Sequence, residues 1–263
     1  MKYTTAVQFS LSRVTALAGL FLTMSIVPAM AASVTFAQYV QSNGALQQWS
    51  VTTAGGTTTT VSASGAVSFT FSGVLGLPFA GARNATFTLN ATSSQAGNCG
   101  VACGAGDSFV QPGYSGTFSF IDTLLGTNLL SGTFAVTGSP STTGAQFSSA
   151  IGSSGGSFNA SATAGNLNQL IMTSAYLNLA GQISENASWS LSSLIPNFAT
   201  GTVTAGRAFP SAGPFNAAGS GTFSSDPGPT ATPEPASMAL IGGGLLAMGL
   251  LRRKMLYKSK VSM

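Results

Sequence analysis

Val67-Ser-Phe69-Thr-Phe71 alternates apolar and small polar side chains with a period of two. Successive side chains of an extended strand point to opposite faces, so Val67, Phe69 and Phe71 belong to a core while Ser68 and Thr70 face water. The pattern recurs on both sides, in Thr86-Phe87-Thr-Leu89, Phe118-Ser-Phe120, Thr133-Phe134-Ala-Val136 and Trp189-Ser-Leu191. Clusters of Gly, Ser, Asn and Pro separate these runs as turns. Residues 32–225 therefore read as one all-β body, a sandwich-like or otherwise layered antiparallel sheet. Roughly 195 residues can bury one sizeable core. Only Ala164–Leu179 is ambiguous between helix and strand.

Ser-Gly-Thr-Phe occurs three times, at Ser115–Phe118, Ser131–Phe134 and Ser220–Phe223, and Gly201-Thr-Val203 is a weaker relative. A Gly turn feeding a β-branched residue and an aromatic predicts the start of a strand at each copy. Their unequal spacing gives no fixed repeat and so no solenoid.

The chain of 263 residues is 44% hydrophobic and only 5% charged, with 33 Gly and no His. An ordinary soluble domain is roughly a quarter charged. Disordered segments combine low hydrophobicity with high charge, and this chain has neither. The formal charge of +4 comes from the ends: Lys2 and Arg13 at the start, and Arg252, Arg253, Lys254, Lys258 and Lys260 in the last dozen residues. Between them Arg83 and Arg207 face five acids, Asp107, Asp122, Glu185, Asp226 and Glu234. Nucleic-acid binding requires basic residues clustered on the body, and none are clustered there.

Residues 1–31 read as a secretory signal peptide, which implies the Sec translocon and signal peptidase as partners. Lys2 and Arg13 precede the uncharged stretch Val14–Val27, Pro28 breaks the helix, and Ala29 and Ala31 supply the small residues at −3 and −1. About 14 apolar residues fall short of the ~20 that a spanning helix needs, so a cleaved leader is expected rather than an anchor.

At the other end, residues 226–235 form a proline-rich linker, Asp226-Pro-Gly-Pro-Thr-Ala-Thr-Pro233-Glu234-Pro235, expected to be extended and accessible. Ala236–Leu251 then runs without a charge, and Arg252-Arg253-Lys254 follows at once. As a helix this run rises ~24 Å, a little under the ~30 Å hydrocarbon core. Met255, Leu256 and Tyr257, with snorkelling basic stems, make up part of the difference. The positive-inside rule keeps residues 252–263 in the cytoplasm and the body outside. Ala239, Gly243 and Ala247 form a small-xxx-small stripe, which a chain so rich in Gly and Ala also produces without a partner helix.

Pro233-Glu234-Pro235, the short apolar helix and the terminal basic cluster together resemble the PEP-CTERM sorting signal of Gram-negative bacteria. The resemblance covers about the last 30 residues and nothing upstream, and Thr232 stands where the commonest form has Val. It implies a membrane protease-transpeptidase, the exosortase, as partner. Pro233, Glu234 and Pro235 would be its recognition triad, and Arg252, Arg253 and Lys254 the membrane stop signal. It also implies a setting of exopolysaccharide and biofilm. The expected route is the inner membrane, then the cell surface or medium after processing. A single-pass anchor that is never processed is the plain alternative.

Cys99 and Cys103 are the only cysteines. Outside the cytoplasm, two nearby thiols are expected to form a structural disulfide closing a small Gly-rich loop. Metal binding would need more ligands, and redox catalysis a C-x-x-C before a helix, so no metal and no cofactor are expected. Asn84, Asn90, Asn159 and Asn186 lie in Asn-x-Ser/Thr sequons, but a chain this rich in Ser and Thr produces about three by chance.

Without His, the usual Ser-His and Cys-His pairs are excluded. Glycosidase chemistry needs two carboxylates facing one bond, and nothing in the spacing of Asp107, Asp122, Glu185 and Asp226 predicts convergence. The expectation is a non-enzymatic surface or matrix protein. The alternative is a carbohydrate-binding module, which needs an exposed aromatic platform; Trp49, Trp189, Tyr114 and Tyr176 are its candidate rings.

Overall fold

The computed structural model describes residues 33–43, 47–54, 58–99, 103–135, 144–162, 169–200 and 211–231. The signal-peptide reading with Ala29 and Ala31, the Pro233-Glu234-Pro235 triad, the apolar stretch 236–251 and the Arg252, Arg253 and Lys254 cluster lie outside these residues. Among the described residues no helix is long and apolar enough to cross a membrane.

All regular structure in the described residues is β, apart from one 3₁₀ position at Gln169. The first strands are β1 (Val34–Gln41), β2 (Trp49–Ala54), β3 (Thr58–Phe71), β4 (Arg83–Ser93) and β5 (Ser108–Asp122). β6 (Asn128–Phe134), β7 (Ala145–Ala150), β8 (Gly156–Ala162), β9 (Leu170–Thr173) and β10 (Leu177–Asn178) follow. β11 (Ser184–Ile195), β12 (Phe215–Asp226) and β13 (Thr230–Ala231) complete the body. Ala164–Leu179, ambiguous in sequence, contributes β9 and β10.

The sheet closes on itself. β3 pairs with β4, β4 with β5, β5 with β7, β7 with β8, β8 with β11 and β11 with β12, and β2 bridges β12 back to β3. The result is an eight-stranded antiparallel barrel with extra strands. This corrects the expected sandwich-like, layered sheet. Alternation reports that one face of a strand is buried, but not whether it is buried against a second sheet or against its own.

Long strands serve different partners along their length. β3 pairs with β2 through Thr58–Ala63 and with β1 through Val67–Phe71. β12 likewise takes β2 at Phe215–Ala217 and β1 at Ser220–Ser225. β5 pairs with β7 through its first residues and with β6 from Gly116 onward. The change in β5 is a bulge between Gln111 and Tyr114, where Gly113 has φ +78°. It moves the buried set from Phe109 and Gln111 to Tyr114, Phe118 and Phe120.

The interior is filled by rings. Trp189, fully buried, lies 5.3 Å from Phe118, 5.5 Å from Phe158, 5.8 Å from Phe223 and 6.3 Å from Trp49, centroid to centroid. Phe87 stacks on Phe120 at 4.7 Å. Small residues make the room. In each Ser-Gly-Thr-Phe copy the Gly and the Phe share the inward face, and Thr117, Thr133 and Thr222 are exposed. A Cβ on Gly132 would lie 2.5 Å from Phe118 Cε1, and one on Gly221 would lie 2.7 Å from Tyr39 Cε1. The copies therefore sit inside β5, β6 and β12, not at strand starts as the sequence suggested. Alternation of small and large inward residues is how a narrow barrel is filled.

Candidate functional site

β12 runs out at Asp226, and that end of the barrel is where the chain departs toward Pro233. The antiparallel pairings bring the same end the start of β1, the β3–β4 loop, the β5–β6 turn, the end of β9 and the start of β11. The proline-rich segment is only partly a linker. Thr230 and Ala231 pair with Asn178 and Leu177 as β13, and Ser225 Oγ donates to the Pro227 carbonyl at 3.0 Å. The ladder thus holds the chain to within two residues of Pro233.

One ion pair stands at this end. Arg83 and Asp122 meet at 2.6 Å, and Asp122 is almost wholly buried. The Leu124 and Leu125 N–H groups donate to Asp122 Oδ1 at 2.8 and 3.0 Å, and Arg83 Nε donates to Oδ2 at 2.7 Å. Burial acts to raise the Asp122 carboxyl, but these hydrogen bonds and the guanidinium outweigh it and hold it below 3.8. Arg83 also lies over the Phe79 ring at 5.1 Å, and Phe79 meets Tyr176 edge-on at 5.0 Å. A cleft of about 370 Å³ opens beside the pair, lined by Ala82, Arg83, Asn84, Asp122, Thr123 and Leu124.

Glu185, the first inward residue of β11, is 7% exposed, and its Oε2 accepts the Met172 N–H of β9 at 3.1 Å. Burial pushes its carboxyl up to about 7, against the pull of that N–H. The folded chain therefore keeps a proton that the unfolded chain sheds near 4.5, and stability falls as pH rises between the two values. Glu185→Gln keeps an acceptor for Met172 and removes the charge. We expect its melting temperature to be flat from about pH 5 to 8, where wild type declines. An unchanged slope in the variant would place the titrating group elsewhere. Asp122 acts with the opposite sign: its contribution is complete above 3.8 and is lost as pH falls below.

The other sequence candidates disperse. Trp49, Trp189 and Tyr114 are buried in the core, which removes three of the four proposed platform rings. Tyr176 is half-buried and shares a hydrogen bond with Thr127 Oγ1 at 2.9 Å. Asp107 is spent on its own turn, accepting the Gly104 N–H at 2.8 Å. Glu185 and Asp226 sit on paired strands, opposite Ser225 and Ser184 respectively, but in the alternation of those strands they face opposite sides of the sheet. The clefts lined by Asp122 and by Glu185 hold one carboxylate each among the described residues. Cys99 and Cys103 are joined as a disulfide, with Cα atoms 5.1 Å apart. The Arg83–Asp122 pair was not anticipated. Its partners are 39 residues apart, and only the β4–β5 register brings Arg83 to the end of β5.

No curated protein and no solved structure matches the chain. One family model does, over residues 231–254, beginning on the last residue of β13. What the barrel carries at its exit is therefore a PEP-CTERM protein-sorting motif.

Proposed function

We propose that this chain is an exported, non-enzymatic surface or matrix protein whose barrel is the cargo and whose C-terminal segment is the address. The PEP-CTERM motif at 231–254 carries that reading, since it implies export and handling by an exosortase-type membrane protein. The Sec translocon and signal peptidase act first, at Ala29 and Ala31. The apolar stretch 236–251 then holds the chain in the inner membrane, and Arg252, Arg253 and Lys254 stop it there. Pro233 and Pro235 keep the recognised strand out of helix and free of backbone partners, the state a membrane-surface protease requires. The released barrel joins the cell surface or the exopolysaccharide matrix. With three of its four rings in the core, the carbohydrate-platform reading has no observation that favours it.

The test is intact mass in envelope and medium fractions, with Pro233-Glu234-Pro235 changed to Ala-Ala-Ala in parallel. We expect wild type to lose the residues after the motif and the variant to remain full-length in the membrane. If both keep the tail and fractionate alike, the protein is a β-barrel on a permanent anchor.

A further inference from the structure

We infer that the exit end of the barrel is a lipid-contacting face, which rests on the bilayer while residues 236–251 are inserted. Eight large apolar side chains are exposed among the described residues, and five of them stand at this end: Leu75, Leu124, Leu125, Ile183 and Val34. Leu75 is 91% and Leu124 81% exposed. At the opposite end Ile195 is the one such residue among the described residues. Leu75 belongs to the β3–β4 loop and the two leucines to the β5–β6 turn, which flank β4 on either side. An apolar cluster of this kind marks a contact with a membrane or a partner.

Two observations choose the membrane. The first is reach. Because Ala231 is pinned to Leu177 by the β10–β13 ladder, only residues 232–235 separate the body from Ala236. Five residue steps span at most roughly 17 Å fully extended. A bilayer's headgroup layer occupies several ångströms of that distance, so the exit face is held against the lipid surface with little room to turn away. The second is charge. Arg83 and Asp122 neutralise one another at this end, Glu185 is buried, and Asp226 is half-buried. Few isolated charges therefore need to lose water when the face settles among headgroups.

The inference rests on insertion of the tail, and the experiment separates the two. Full-length chain is reconstituted in vesicles of phosphatidylethanolamine and phosphatidylglycerol, with an environment-sensitive fluorophore at Leu75→Cys, Leu124→Cys, Ile195→Cys or Ala247→Cys. Labelling without reductant spares the Cys99–Cys103 disulfide. Lipids carrying a nitroxide near the headgroup should quench positions 75 and 124 several-fold more than 195. Water-like emission at 75 and 124 overturns the inference, and a quenched 247 then shows that the tail was inserted all the same. Water-like emission at 247 as well as at 75 and 124 defeats both readings. Blue-shifted emission at 75 and 124 without nitroxide quenching also overturns it, because that outcome means a second copy of the chain covers the face.

Discussion

A Gly221→Val chain should fail to reach a stably folded state. The Cβ alone would lie 2.7 Å from Tyr39 Cε1, 2.9 Å from Trp189 Cδ1 and 2.9 Å from the Ser188 carbonyl oxygen. Two of these atoms belong to fully buried rings, and the third is backbone of the neighbouring strand. None of the three is the loose end of a flexible chain. Overpacking a closed core costs about 1–3 kcal/mol and sometimes more, and the two further methyl carbons of Val put this site at the upper end. Against a total stability of order 5–15 kcal/mol, that is a large share. Chemical denaturation should show a markedly lower midpoint, or no folded baseline at all. Adding Tyr39→Leu should recover part of the loss, since it removes one of the two clashing rings but leaves Trp189 and the Ser188 carbonyl in place. A Gly221→Val chain as stable as wild type would mean the barrel flexes there far more than its packing implies.

Trp189→Ala should cost about 3–5 kcal/mol, the usual range for emptying a fully buried aromatic site. Trp189 touches Trp49, Phe118, Phe134, Phe158 and Phe223, which come from β2, β5, β6, β8 and β12. It therefore joins strands from around the barrel. The walls of the hole would be β-strands held by ladders on both sides, so little collapse can offset it. Trp189→Phe should cost less, because the indole N–H has no hydrogen-bond partner among the described residues and its removal relieves a desolvated donor. Urea unfolding of the three proteins gives the order directly, and a loss at Trp189→Phe equal to that at Trp189→Ala would contradict it.

The strand content was legible because period-two alternation is a local signal. Val67–Phe71 and Thr86–Leu89 were read correctly as strand segments, and both proved to lie inside β3 and β4. Closure was not legible. It depends on which strands meet, and β12 returns to β1, nearly two hundred residues earlier in the chain. The Ser-Gly-Thr-Phe copies were misread for a related reason. Glycine before a β-branched residue suits a turn locally, and only the tertiary ring contacts show that its missing side chain is what matters. The sorting motif needed no fold at all, since its match is to the consecutive residues 231–254. The exit face lay between these cases. Leu75, Leu124 and Leu125 are ordinary in sequence and become a group only when β3, β4 and β5 are laid side by side.

Under the proposed matrix role, the closed ladder limits how copies of the chain can assemble. Fibres that grow by strand addition need an unsatisfied edge on each unit to receive the next. Here the main circuit of strands has no edge. On β9, an extra strand outside that circuit which pairs with β6, the Met172 amide is already taken by Glu185. On that proposal, copies released from the membrane accumulate as separate beads held by their surfaces, without templating one another into filaments. A cell can export such a protein in quantity, and its unfolded state becomes the form that carries the aggregation risk.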